Sequence, residues 1–176
     1  MNATEPIVNK VAQSGLITLN PEDYTTDGPR VVFDLKDFLF MGLILKEKDY
    51  RQALKVHDWS PYAGAHVALT CSADAIVPAW AWMLAVTYLE PVAQTLNFGT
   101  LEELEAELLR RRLDAEDWSR YAGERIILKG CGTIGPRAYA ELSRRLRPHV
   151  QTLMYGEPCS TVPVYKAPRR TDATSA

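Results

Sequence analysis

The sequence predicts an α/β domain built on a mainly parallel sheet with helices on both faces. Three observations lead there. From Val31 onward, short apolar strands alternate with helical segments, the pattern of right-handed β-α-β crossovers. The stretch DWSPYAG at 58–64 returns as DWSRYAG at 117–123 with a single change, Pro61 against Arg120. Each copy then runs through a strand, a cysteine, a proline and a helix to a second strand, AQTLNFG at 93–99 and VQTLMYG at 150–156. This reads as an internal duplication of about 58–99 and 117–156.

In chain order, residues 1–29 form a polar, turn-rich arm in which only GLITL (15–19) has strand character, fit for a peripheral strand or a partner-clasping arm. VVFDL (31–35) and FLFMGLIL (38–45), parted by Lys36-Asp37, predict an opening β-hairpin whose second strand is apolar on both faces, as in a sheet centre. KEKDYRQALKV (46–56) places Tyr50 and Leu54 on one helical face. The first DWS-x-YAG packs its Trp and Tyr as a corner, and Gly64 turns the chain into strand HVALT (66–70). Pro78 opens a helix, Ala79 to Leu89, that is apolar nearly all round, so it is either buried or a subunit interface. LEELEAELLRRRL (101–113) is an amphipathic helix with acids first and arginines last, as the helix dipole favours. The second copy supplies strand RIILKG (125–130), helix RAYAELSRRLR (137–147) and a closing strand. The predicted order is β-β-α-β-α-β-α-β-α-β, with the single domain over 30–166. Pro158 and Pro163 limit regular structure after Gly156, and 167–176 read as a disordered polar tail.

The chain has 176 residues, enough to bury a core without disulfides or metal. Its 22 acidic and 20 basic side chains leave no footprint for nucleic acid or an anionic membrane. The clusters Arg110–Arg112 and Arg144, Arg145, Arg147 sit late in helices, where cations suit the dipole. The apolar run 75–86 is too short to span a bilayer, and the first ten residues lack a secretory pattern. A cytoplasmic protein is expected, and three cysteines there point to buried thiols, ligands or reactive groups rather than disulfides.

Cys71 follows HVALT, Cys131 follows RIILKG and Cys159 lies just past TLMYG, so in one parallel sheet all three face its carboxyl edge, where ligands gather. His57, His66 and His149 precede strands and fall at the other edge, which disfavours a Cys-His pair or a Cys2His2 zinc site. Three roles stay open. The cysteines are small apolar residues in tight turns. Alternatively, Cys71, Cys131 and Cys159 hold zinc or an iron–sulfur cluster, with Asp74 and Glu157 as auxiliary ligands. In the third role Cys131, between Gly130 and Gly132 and near a helix start, is a catalytic nucleophile. No nucleotide fingerprint is present: KGCGTIG (129–135) lacks the glycine spacing.

The stretches IVNKVAQSGLITL (7–19), DWS (58–60), TCSADAIVP (70–78), KGC (129–131) and YGEPCSTVP (155–163) together resemble an uncharacterised bacterial family catalogued as domain of unknown function 2480. Three of the stretches contain the three cysteines. The family lends no activity. The resemblance implies an association with iron–sulfur assembly proteins as partners. The residues alone also suggest a non-enzymatic module that self-associates through Pro78–Leu89.

Overall fold

The computed structural model describes residues 15–130 and 132–168. It is a mixed α/β structure with two open, mostly parallel sheets, and it has four α-helices and seven strands among the described residues. The chain divides into two compact units: one runs from Thr26 to Leu109, and the other takes the chain up to Thr25 and from Arg110 onward. We call them the inserted unit and the split unit. Among the described residues no helix is long and apolar enough to cross a membrane.

In the inserted unit, β2 (Arg30–Asp34), β3 (His66–Thr70) and β4 (Thr95–Phe98) form a parallel sheet in the order β2-β3-β4. The first strand, β1 (Leu16–Leu19), belongs to the split unit. Alternation along β3 sends Val67 and Leu69 into a core with Phe33, Tyr50, Leu54, Ala81, Ala85 and Leu89. Those partners come mainly from α1 (Glu47–Val56) and α2 (Ala79–Leu89). The Tyr50 hydroxyl donates to the Ala81 carbonyl at 3.2 Å inside that core, and burial pushes its pKa well up. On the other face, Ala68 meets Leu104 and Leu108 of α3 (Leu101–Asp114), so this sheet is covered on both sides.

In the split unit the order is β1-β5-β6-β7, with β5 (Arg125–Leu128) and β6 (Thr152–Glu157) parallel to β1 and β7 (Ser160–Lys166) antiparallel to β6. Ile126, Leu128 and Leu153 of the sheet are buried, as are Ala138, Leu142 and Leu146 of α4 (Pro136–Leu146). Arg145, expected to serve only the helix dipole, is buried. Its guanidinium reaches Asp114 at 2.5 Å and also Glu141, so it ties the end of α3 to α4. The Arg145 hydrogen bond in turn holds the Glu141 carboxyl below its ordinary value.

The two DWS stretches make the same local bonds. Trp59 Nε1 donates to the Leu54 carbonyl at 3.2 Å and Trp118 Nε1 to Leu113 at 2.8 Å, each closing the end of the preceding helix. Gly64, at φ 68°, donates to the Val92 carbonyl, and Gly123, at φ 77°, donates to His149. Tyr62, Trp118 and Tyr121 are buried and Trp59 is half-buried, so these residues are core packing, as expected.

Three expectations are corrected. A single sheet is replaced by two, because alternation along a chain does not say which strands pair: β1 lies beside β5, not β2. The opening hairpin does not form. Asp34 accepts from the Lys36 amide at 3.0 Å and starts a tight 3-10 turn, Leu35–Phe38, and the following apolar run closes on itself through Phe40 and Ile44. Met41, at φ 51°, and Gly42 carry that turn, and Phe40, Met41, Leu43 and Ile44 are exposed rather than central. Lastly, Ser160–Lys166 is a regular strand despite Pro163, which an edge strand tolerates next to the register shift at Leu153/Met154.

Asp34 has a second task, accepting the Ser72 amide at 2.9 Å and thereby fixing the loop after β3. Burial acts to raise its pKa, but the hydrogen bonds from Ser72 and Lys36 outweigh it and hold the carboxyl below its ordinary value. Its contribution is therefore full above the unfolded carboxyl pKa of about 3.9 and lost as pH falls through the lower folded value. Asp34→Ala is expected to cost about 1–2 kcal/mol at neutral pH, the range for a lost cap. Urea unfolding followed between pH 7 and 3 should show that penalty shrinking at the acid end.

Candidate functional site

The carboxyl edge of the split unit's sheet carries the richest chemistry. There β5 gives way to Lys129, Gly130 and, past Cys131, to Gly132 and Thr133 before α4 begins. Cys131 itself lies outside the described residues. The flanking backbone is closely held. Glu22, just after β1, accepts from the Thr133 amide at 2.9 Å and the Thr133 hydroxyl at 3.3 Å. The Tyr139 hydroxyl donates to the Lys129 carbonyl at 3.0 Å, and the Tyr155 hydroxyl to the Gly130 carbonyl at 3.2 Å. The two phenol rings meet edge to face at 5.4 Å.

Close approach explains the glycines. A Cβ on Gly130 would lie 3.0 Å from the Tyr155 ring and 3.2 Å from Gly156 Cα, so the chain entering Cys131 runs against β6 one residue before Glu157. A Cβ on Gly132 would come within 2.8 Å of the Glu22 carboxylate. Gly130, Gly132, Ile134, Pro136, Tyr139 and Tyr155 line an open recess of about 440 Å3 at the start of α4.

Glu157 ends β6, and its Oε1 is buried with no hydrogen-bond partner among the described residues. Buried polar atoms are nearly always paired, so this oxygen is open to a donor from water, from a bound group or from a residue outside those described. Two residues on, Cys159 stands exposed in the β6–β7 turn. No shared sheet edge collects all three thiols, contrary to expectation, because Cys71 follows β3 of the inserted unit's separate sheet. Cys71 is half-buried against the α1/α2 core, and its thiol donates weakly to the Ala73 carbonyl at 3.7 Å. Asp74 is exposed in the same loop. Among the described residues, no group of three His, Cys, Asp or Glu is arranged to hold a metal ion.

His66 keeps to the amino end of its strand as expected, whereas His57 packs against Phe33 and Phe38 at the carboxyl end of β2. His66 opens β3, buried, with Nε2 2.9 Å from the Asp27 carbonyl, and His57 caps α1 among the rings of Phe33, Phe38, Trp59 and Tyr62. Sequence reasoning missed Glu22, Tyr139 and Tyr155. The acid in Asn20-Pro21-Glu22 was the only available hint, and it says nothing about a partner far along the chain.

Fold and site define an α/β protein with thiol-bearing loops at the carboxyl ends of parallel strands. The chain matches the family described as protein of unknown function (DUF2480) over residues 5–167 and belongs to it. No curated protein and no solved structure matches the chain.

Proposed function

We propose that the protein holds a thiophilic cargo, zinc or a small iron–sulfur species, at the carboxyl edge of the split unit, through Cys131 and Cys159 with Glu157 beside them. The observation that carries this reading is the orphaned Oε1 of Glu157. Glu157 directly follows Gly156, whose Cα lies against Gly130, and the exposed Cys159 comes two residues further along the chain. Soft thiolates suit zinc and iron–sulfur species, and a carboxylate oxygen is a competent additional ligand or a hydrogen-bond partner to a thiol. The glycines on either side of Cys131 let Tyr155 and Glu22 pack against the chain there, which fixes the backbone that carries the thiol. Cys71 and Asp74 play no part in this version, and Cys71 is a packed structural thiol. The partners it calls for are proteins that deliver or accept the cargo, in keeping with the iron–sulfur assembly class that the family resemblance implies.

The test is anaerobic purification without a histidine tag, followed by the absorption spectrum and metal and sulfide content per chain. Stoichiometric zinc, or iron with sulfide, is expected in the wild type and in Cys71→Ser, and near-complete loss in Cys131→Ser and Cys159→Ser. Glu157→Gln should weaken retention without abolishing it. A protein free of metal that alkylates selectively at Cys131 overturns the reading in favour of a thiol nucleophile. Metal content that depends on Cys71 overturns the choice of ligands.

A further inference from the structure

Among the described residues, nothing pairs with the outer edge of the inserted unit's last strand. β4 pairs with β3 on one side and ends the sheet on the other. In the split unit the strand in the same position, β6, is covered on its outer side by the antiparallel β7. Exposed edges are normally guarded by lysine, proline or a bulge, and β4, TLNF, has none of these. Thr95 and Gly99 donate their amides to Ala65 and Leu69 on the β3 side, so strand alternation turns the amides of Leu96 and Phe98 outward.

Beside this edge lies an apolar groove of about 680 Å3 lined chiefly by Leu69, Trp82, Met83, Val86, Leu96 and Phe98. Met83 and Phe98 are each 68% exposed. The Trp82 and Phe98 rings meet edge to face at 4.9 Å, so the groove wall is already set. Met83, Phe98 and Val86 alone present on the order of 300 Å2 of apolar surface, within the range of the largest patch on a typical monomer, which is often functional.

We propose that the β4 edge pairs antiparallel with β4 of a second copy of this chain across a two-fold axis, the α2 faces closing over the join. A two-fold contact sets a surface against itself, so it must carry no like charges at its centre. Neither Ala79–Leu89 nor Thr95–Phe98 contains a charged residue, and Glu90, which follows α2 and also lines the groove, is a charge that the two-fold contact must keep off its axis. Pairing continues the sheet to six strands and satisfies the outward amides, as β7 does for β6. It rests on the inserted unit alone and is independent of the thiol site.

Sedimentation equilibrium and light scattering on the full chain test it. The wild type is expected to be a dimer. Met83→Glu buries a charge against its own copy and should weaken dimerisation by at least about 100-fold. Phe98→Pro deletes an outward amide while leaving the β3 ladder intact and should weaken it comparably, whereas Phe98→Ala, which keeps the amide, should cost less. Circular dichroism and melting of each variant confirm folding, since both positions are exposed. A monomeric wild type overturns the proposal, as does a dimer that survives Met83→Glu. A dimer lost in Met83→Glu but indifferent to Phe98→Pro relative to Phe98→Ala overturns the strand pairing.

Discussion

Trp118→Ala is expected to destabilise the split unit by about 3–5 kcal/mol, the cost of removing a large buried aromatic side chain. The ring is 8% exposed, packs against Tyr24 and Tyr121 at centroid distances of 5.5 and 6.2 Å, and donates its Nε1–H to the Leu113 carbonyl at 2.8 Å. That carbonyl belongs to the last turn of α3 and also accepts the Glu116 amide at 3.3 Å. The substitution therefore opens a cavity and removes the shorter of that carbonyl's two hydrogen bonds. Trp118→Phe restores most of the volume without the donor, and its cost should fall to about 0.5–1.5 kcal/mol, the net contribution of one hydrogen bond. Trp59→Ala should cost less than Trp118→Ala, because Trp59 is only half-buried and its bond to Leu54 is 3.2 Å. Urea unfolding by circular dichroism orders the three variants.

Gly156→Ala is expected to cost about 3 kcal/mol and to empty the thiol site while every thiol remains. Gly156 has φ 122°, a region L-residues avoid, and a Cβ there would stand 2.5 Å from the Ser160 carbonyl oxygen. That oxygen is backbone of the opposing strand and cannot swing aside. The β6–β7 hairpin must open, and Glu157 and Cys159 move with it. Gly123→Ala is the control: its φ is 77° but a Cβ would meet nothing within 4 Å, so only the left-handed backbone is penalised, by about 1 kcal/mol. Melting and cargo content measured on both variants separate the two effects. Loss of cargo in Gly156→Ala alone is the expected pattern.

The sequence made the corners legible and the sheets illegible. Each DWS-x-YAG stretch announces a Trp/Tyr joint before a strand, and the indoles do close the preceding helix ends. The helices were equally readable, since Tyr50 and Leu54 recur at helical spacing and Pro136 opens α4. What failed was pairing. GLITL had strand character, but nothing local to it could say that Leu16 would lie beside Arg125 in a sheet separate from β2. The apolar run 38–45 looked central because composition was taken for burial, whereas the Asp34 cap turns it outward. The same limit governs the site. Three cysteines after three strands suggested one edge, but two sheets divide Cys71 from Cys159, and Glu22 reaches Thr133 across 111 residues of chain.

The central claim is that Cys131 and Cys159 act together. Titration of the reduced, metal-free protein with phenylarsine oxide, which forms a stable adduct only by bridging two neighbouring thiols, tests it most directly. Intact mass spectrometry should find one arsenic per chain in the wild type and in Cys71→Ser, and no stable adduct in Cys131→Ser or Cys159→Ser. Absence of an adduct on the folded wild type, or an adduct that requires Cys71, would contradict the account.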